Sequence, residues 1–216
     1  TGALNVSGEP FTVTQRACTY DLSLAGRTHG FLSETGLVSV TAASACAWTV
    51  SNSNNWITVI SGAAGVGNGS VNYSVAPNSS SSARSGTLTV AGKTFSLTQS
   101  GVTCTITLSS SSASVASSAS SGSVSVTSTA SDCAWTATSN AGWITITVGA
   151  SGTGNGTVSY TVASNASSSG RSGTLTIGGN TFTISQSGVG CTITLGSSSA
   201  SVASSASSGS VTVTAT

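Results

Sequence analysis

The sequence predicts an all-β fold made of tandem immunoglobulin-like β-sandwiches, each about 87 residues long and stapled by a disulfide. Three observations carry this expectation: an internal repeat, a period-two alternation of apolar and hydroxyl side chains, and two cysteines in each repeat. The repeat is the strongest of them. Residues 104–129 (CTITLSSSSASVASSASSGSVSVTST) recur almost unchanged as residues 191–216, an offset of 87. The same offset carries Cys46-Ala47-Trp48 onto Cys133-Ala134-Trp135 and Trp56-Ile57-Thr58 onto Trp143-Ile144-Thr145. It also carries Arg84-Ser85-Gly86-Thr87-Leu88-Thr89 onto Arg171-Ser172-Gly173-Thr174-Leu175-Thr176. The expected division is therefore a C-terminal part of a preceding repeat at 1–17, full repeats at 18–103 and 104–190, and the N-terminal part of a following repeat at 191–216. The two partial repeats together lack the positions equivalent to 130–171, so they do not add up to one unit. They read as a window on a longer array, the arrangement of stalks and fibres.

Within a repeat, 124–127, 143–146, 158–162, 175–177 and 182–184 mostly alternate apolar residues with Ser or Thr. Such alternation puts one face of a strand on a core and the other in water. Glycine-rich stretches separate the strands: 151–156 reads as a turn and Gly178-Gly179-Asn180 as a hairpin loop. Seven or eight short strands without a helical period fit a two-sheet sandwich, more economically than an open jelly roll.

The cysteines fix phase and compartment. Cys18 is expected to pair with Cys46 and Cys104 with Cys133, leaving Cys191, whose partner would fall outside this sequence. Paired cysteines 28 or 29 residues apart, with a single histidine in the chain, do not make a tetrahedral metal site. Stapled, Ser/Thr-rich modules point to an oxidising, extracellular or cell-surface location.

Composition excludes several functions. Only 4% of residues are charged and the formal net charge is +1, with five scattered Lys and Arg, too few to neutralise a nucleic-acid backbone. Four carboxylates and one histidine leave little for acid–base catalysis, so no enzyme and no cofactor are expected. No apolar run approaches the ~18 residues that span a membrane.

The order Cys-Ala-Trp, a second Trp-Ile eight residues on, a Gly-x-Gly turn, Val-x-Tyr-x-Val, then Asn, Arg-x-Gly-Thr-Leu-Thr and a closing Gln-Ser-Gly resembles the BACON domain, a Bacteroidetes-associated, carbohydrate-binding, often N-terminal module. The resemblance covers both full repeats and part of each fragment. It implies an extracytoplasmic immunoglobulin-like module, with sugar binding or a spacer role as the two functions to separate.

Trp48 and Trp135 share strand parity with Cys46 and Cys133 and belong to the core. Trp56 and Trp143 follow a turn; they are the candidates for stacking on a sugar ring, although packing into the core suits them better. Arg84 and Arg171 recur without a recurring acid, so each is expected to tie down loop carbonyls or lie over a Trp, with an anionic ligand as the alternative. Asp21, Arg27, His29 and Glu34 occur in the first repeat only, where the second has Thr, Ala, Val and Ser, and mark a candidate interface. The Ser-rich tracts at 109–123 and 197–210 are candidates for O-linked glycans, and Asn5, Asn68, Asn72, Asn78, Asn155 and Asn165 sit in N-glycan sequons. The expected function is a cell-surface stalk, adhesin or filament whose partners are copies of itself or neighbouring repeats. A carbohydrate-binding array is the alternative, with glycans as partners.

Overall fold

The computed structural model describes residues 2–13, 16–202 and 204–215. Contacts divide the chain into two units, residues 1–103 and 104–216.

The first unit opens with a hairpin, β1 (Gly2–Val6) and β2 (Glu9–Val13). Nine strands follow: β3 (Tyr20–Leu22), β4 (Gly26–His29), β5 (Glu34–Ala42), β6 (Ala47–Asn52), β7 (Ile57–Ser61), β8 (Ala64–Val66), β9 (Gly69–Val75), β10 (Arg84–Val90) and β11 (Lys93–Gln99). They form two sheets, ordered β3-β5-β9-β7 and β4-β11-β10-β6-β8. All neighbours are antiparallel except β4, which runs parallel to β11. At each side of the sandwich consecutive short strands sit in opposite sheets, β3 then β4 on one side and β7 then β8 on the other. Every edge strand is thus three to five residues long. Short edges offer little template for pairing with another chain.

The second unit repeats this arrangement with β12 (Ile106–Leu108), β13 (Ser112–Val115), β14 (Ser120–Ser128), β15 (Ala134–Ser139), β16 (Ile144–Val148), β17 (Ser151–Thr153), β18 (Gly156–Val162), β19 (Arg171–Ile177) and β20 (Asn180–Gln186). Its sheets are β12-β14-β18-β16 and β13-β20-β19-β15-β17. Even the irregularity recurs: the register slips between Val59 and Ser61 in β7 and between Ile146 and Val148 in β16. A last pair, β21 (Ile193–Leu195) and β22 (Val213–Ala215), keeps the register of β12 on β14.

These are immunoglobulin-like sandwiches, as the alternation predicts. Each core is built from the inward set of every strand, with Val38, Val71, Leu88 and Phe95 in the first unit and Val158, Leu175, Phe182 and Ile184 in the second, all at most 1% exposed. Tight hairpins join the last two strands of each sandwich. Ala91-Gly92 and Gly178-Gly179 all have positive φ, the two-residue turn whose twist matches that of the strands. Ser7-Gly8 in the β1–β2 hairpin does the same, the turn geometry of the β10–β11 hairpin. Its Leu4 and Phe11 are 60% and 61% exposed, whereas their equivalents Leu88 and Phe95 are fully buried.

Two stretches differ from expectation. Residues 151–156, read as a turn, contain β17, which pairs with β15 through Ala134–Thr153, Trp135–Gly152 and Thr136–Ser151. The Ser-rich tract at 109–123 holds β13 and the start of β14. Ser112-Ala113-Ser114-Val115 does alternate, with Ala113 and Val115 packed on the core, but small side chains make the signal weak. The strand forms because β20 presents a free edge to which Ser112–Val115 add in parallel.

Candidate functional site

The feature built identically in both units is a clamp of Trp, Arg and Gln. Arg84 opens β10 and Gln99 closes β11, and the antiparallel register sets them opposite each other, as it does Arg171 and Gln186. Arg84 Nε donates to Gln99 Oε1 at 2.9 Å, and Arg171 Nε to Gln186 Oε1 at 2.8 Å. The Nη2 of each guanidinium donates to the loop after β9 or β18: to Ala76 O (2.7 Å) and Pro77 O (3.1 Å) in the first unit, and to Ala163 O (2.7 Å) and Ser164 O (3.0 Å) in the second. The Gln amides, buried at 0% and 2% exposure, donate back to Ala76 O and Ala163 O at 3.0 Å and reach Leu32 O or Ser117 O across the sandwich. The guanidinium plane then covers an indole: Arg84 lies 4.5 Å from the Trp56 centroid and Arg171 4.3 Å from that of Trp143. Each indole is half-buried and packs on the core, so core below and cation above enclose the ring that the sequence offers for sugar stacking. The expected tying of loop carbonyls and the stacking on Trp occur together in the same side chain.

Trp48 and Trp135 are core residues, 5% and 6% exposed. Their indole nitrogens donate to Gly67 O and Gly154 O at 2.8 Å, which satisfies the buried polar handle. The glycines around them are required by contact: a Cβ on Gly65 or Gly69 would land in the Trp48 ring, and one on Gly152 or Gly156 in that of Trp135.

The first-repeat cluster does not form one patch. Asp21 is exposed on edge strand β3 of one sheet, and Arg27 is exposed on edge strand β4 of the other. His29, by contrast, is 2% exposed. Its Nδ1 donates to Glu34 Oε2 at 2.9 Å, since a carboxylate can only accept, and Nε2 lies 3.1 Å from the Tyr73 hydroxyl. Glu34 Oε1 also accepts from Gly30 N at 2.9 Å. The Glu34 carboxyl is held below the usual carboxylate range, first by the bond from His29 and next by that from Gly30. Burial raises the Tyr73 hydroxyl. His29 thus links the two sheets from inside the sandwich, while Glu34 meets it from the rim with its side chain 40% exposed. Among the described residues no three His, Cys, Asp or Glu gather to hold a metal.

The disulfides are Cys18–Cys46 and Cys104–Cys133, with Cα atoms 5.6 and 5.5 Å apart, and Cys191 is a free, exposed thiol. Two of the sequon asparagines are buried in the folded protein. Asn78 and Asn165 are each 5% exposed, and their amide nitrogens donate to Ser82 and Ser100 or to Ser169 and Ser187 carbonyls. These asparagines and the two glutamines are structural residues that the reading of single positions misses. The constant Arg-to-Gln spacing of 15 is the signal that identifies the clamp.

The BACON family model, described as "Putative binding domain, N-terminal", matches residues 47–109 and 134–187. The chain belongs to the BACON family. The matched segments run from β6 through the clamp of each unit and contain the Trp, Gly, Arg and Gln positions just described, and β3–β5 and β13–β14 lie outside them. No curated protein matches the chain. Among solved structures it is similar to the I9–I11 tandem from titin, at 11% identity over 82% of this chain and 68% of that one, with a TM-score of 0.32. BACON modules and immunoglobulin-like repeats are typically binding or structural units without catalysis.

Proposed function

We propose that this chain is part of an extracellular structural array, a stalk, adhesin or filament assembled from non-catalytic BACON sandwiches. The observation that supports it is the closed clamp. In both units the recurring residues of functional type, Trp, Arg and Gln, are spent on each other and on loop carbonyls. A side-chain set that recurs and faces inward serves the rigidity of the module. Sugar stacking on Trp56 or Trp143 would require displacing a guanidinium that makes three hydrogen bonds. The short edge strands suit modules joined end to end by their own chain better than lateral sheet-to-sheet pairing. One staple in each module suits an array that works in an oxidising compartment.

Negative-stain electron microscopy of the native material tests this reading. Extended rods or filaments with a regular repeat support it. Dispersed compact particles, together with glycan-array binding that Trp143→Ala abolishes, overturn it in favour of a carbohydrate-binding array.

A further inference from the structure

The outer face of the β3-β5-β9-β7 sheet has no equal in the second unit. Leu37 of β5 and Ile60 of β7 stand on it, 45% and 58% exposed, among threonines, serines and Asn72. Leu37 pairs with Asn72 and Ile60 is the residue at the register slip, so the two flank one position of β9. Arg27 reaches this face although β4 belongs to the other sheet: it lines a groove of about 410 Å³ with Thr35, Leu37, Ile60 and Asn72. Asp21 of β3 is exposed on the same face, opposite Thr41 at the far end of β5. Among the described residues neither Asp21 nor Arg27 makes an ion pair.

The second unit is an internal control. The strand pairings make Thr107 the counterpart of Asp21, Ala113 of Arg27, Ser123 of Leu37 and Thr147 of Ile60. Each of these positions is charged or apolar in the first unit and small or hydroxyl-bearing in the second, on the same backbone. The sandwich therefore forms without any of the four first-unit side chains. Two exposed apolar residues on a face otherwise made of hydroxyls and amides, with a base and an acid beside them, mark an interaction surface.

We infer that this face of the first unit packs against the same face of a second copy of the chain. The charges select the occupant. Arg27 and Asp21 both stand along the β5 side of the face, towards opposite ends of that strand. A two-fold axis lying across the strands sets β5 antiparallel to its copy, so Arg27 of each copy meets Asp21 of the other, and Leu37 and Ile60 are laid on the facing sheet. A formal net charge of +1 opposes the approach little. The contact uses the flat of the sheet and no edge strand. Its extent sets its strength: strands of three to nine residues with alternating side chains turn only about a dozen outwards, against roughly 20–30 on each side of a standard interface. The pair is therefore weak and reversible. It does not rest on the array reading: compact particles leave the face in place, and a chain that stays single leaves the array joined through its own backbone.

Sedimentation equilibrium of the whole chain, with Cys191 capped by iodoacetamide so that no thiol joins two copies, tests the assignment. A dimer with a dissociation constant of roughly 0.01–1 mM is expected. Leu37→Ser with Ile60→Thr installs the second unit's residues and should weaken the dimer at least about tenfold. Arg27→Asp should weaken it too, and Asp21→Arg added to Arg27→Asp should restore it, since the exchange rebuilds both pairs with their signs reversed. The charge exchange decides the matter even where Leu37→Ser with Ile60→Thr fails to fold. A chain that is monomeric throughout, which would leave the face to a different protein, overturns the inference. So does a dimer that survives folded Leu37→Ser with Ile60→Thr unchanged, that ignores Arg27→Asp, or that the charge exchange does not recover.

Discussion

The guanidinium of Arg171 sits 4.3 Å from the Trp143 ring centroid while its Nε holds Gln186, a side chain 2% exposed. One residue thus caps an indole, satisfies a buried amide and ties the loop after β18. Arg171→Ala removes all three. The stacking is worth roughly 1 kcal/mol at a half-exposed site, and an orphaned buried acceptor on Gln186 costs roughly 1–3 kcal/mol. A loss of about 2–3 kcal/mol in the urea unfolding of the second unit is expected. Arg171→Lys keeps the charge but not the fork and should recover less than half of it. A loss under about 0.5 kcal/mol for the alanine variant would mean the clamp is ornamental.

The glycine pairs flanking the core tryptophans make a second prediction. Gly152→Ala puts a methyl group inside the Trp135 ring, and the hydrogen bond from Trp135 Nε1 to Gly154 O prevents the indole from sliding away. Forced overpacking of this kind costs roughly 1–3 kcal/mol. Gly179→Ala, where a Cβ meets nothing but φ is +80°, should cost less, and its cost should be backbone strain alone. Thermal melts of the two variants separate contact from conformation.

Fold and phase were legible in the sequence because the inward residues alternate with Ser or Thr and the cysteines and tryptophans recur at fixed offsets. Val158, Tyr160 and Val162 show the alternation, and all three are buried. β13 was harder to read, since its alternation of Ser with Ala and Val lies within a low-complexity tract and its partner β20 is far along the chain. The role of His29 was not legible. Its neighbours in space are Glu34, five residues on, and Tyr73, on the far side of β5, and only the pairing of β5 with β9 brings Tyr73 within reach. Position alone made the four polar residues of the first repeat look like one surface cluster.

The His29–Glu34–Tyr73 bridge makes the first unit acid-sensitive in a way the second is not. Ser120 takes the place of Glu34 there, and its hydroxyl is buried without a partner. The folded state lowers the Glu34 pKa, with the bond from His29 first among the causes and the Arg27 charge adding in the same sense. A depressed carboxyl stabilises the fold fully above its unfolded value, about 4.3, and the contribution is lost as pH falls through the lower folded value. Urea midpoints at pH 7 and pH 3 should therefore fall further for the wild type than for Glu34→Gln, with the Gly30 amide reporting the opening. Equal falls would show that the bridge carries no proton linkage.

A load-carrying stalk should meet force in steps set by its staples. Cys18–Cys46 short-circuits a loop of sequence separation 28, so pulling the first unit open releases only the chain beyond Cys46. At roughly 3.4 Å per extended residue, the stretch from Cys46 to Thr103 yields a gain of roughly 200 Å, and reduction adds roughly 95 Å more. The second unit, stapled over 29 residues, should give a step of nearly the same size. In the chain-entropy account each staple also contributes about 3–4 kcal/mol, so reduced modules should open at lower force. Single-molecule extension before and after a thiol reductant checks both expectations, and thiol titration of the unreduced chain should find Cys191 alone. Steps that do not lengthen on reduction would show that the staples lie outside the load path, and a stalk role for them would fail.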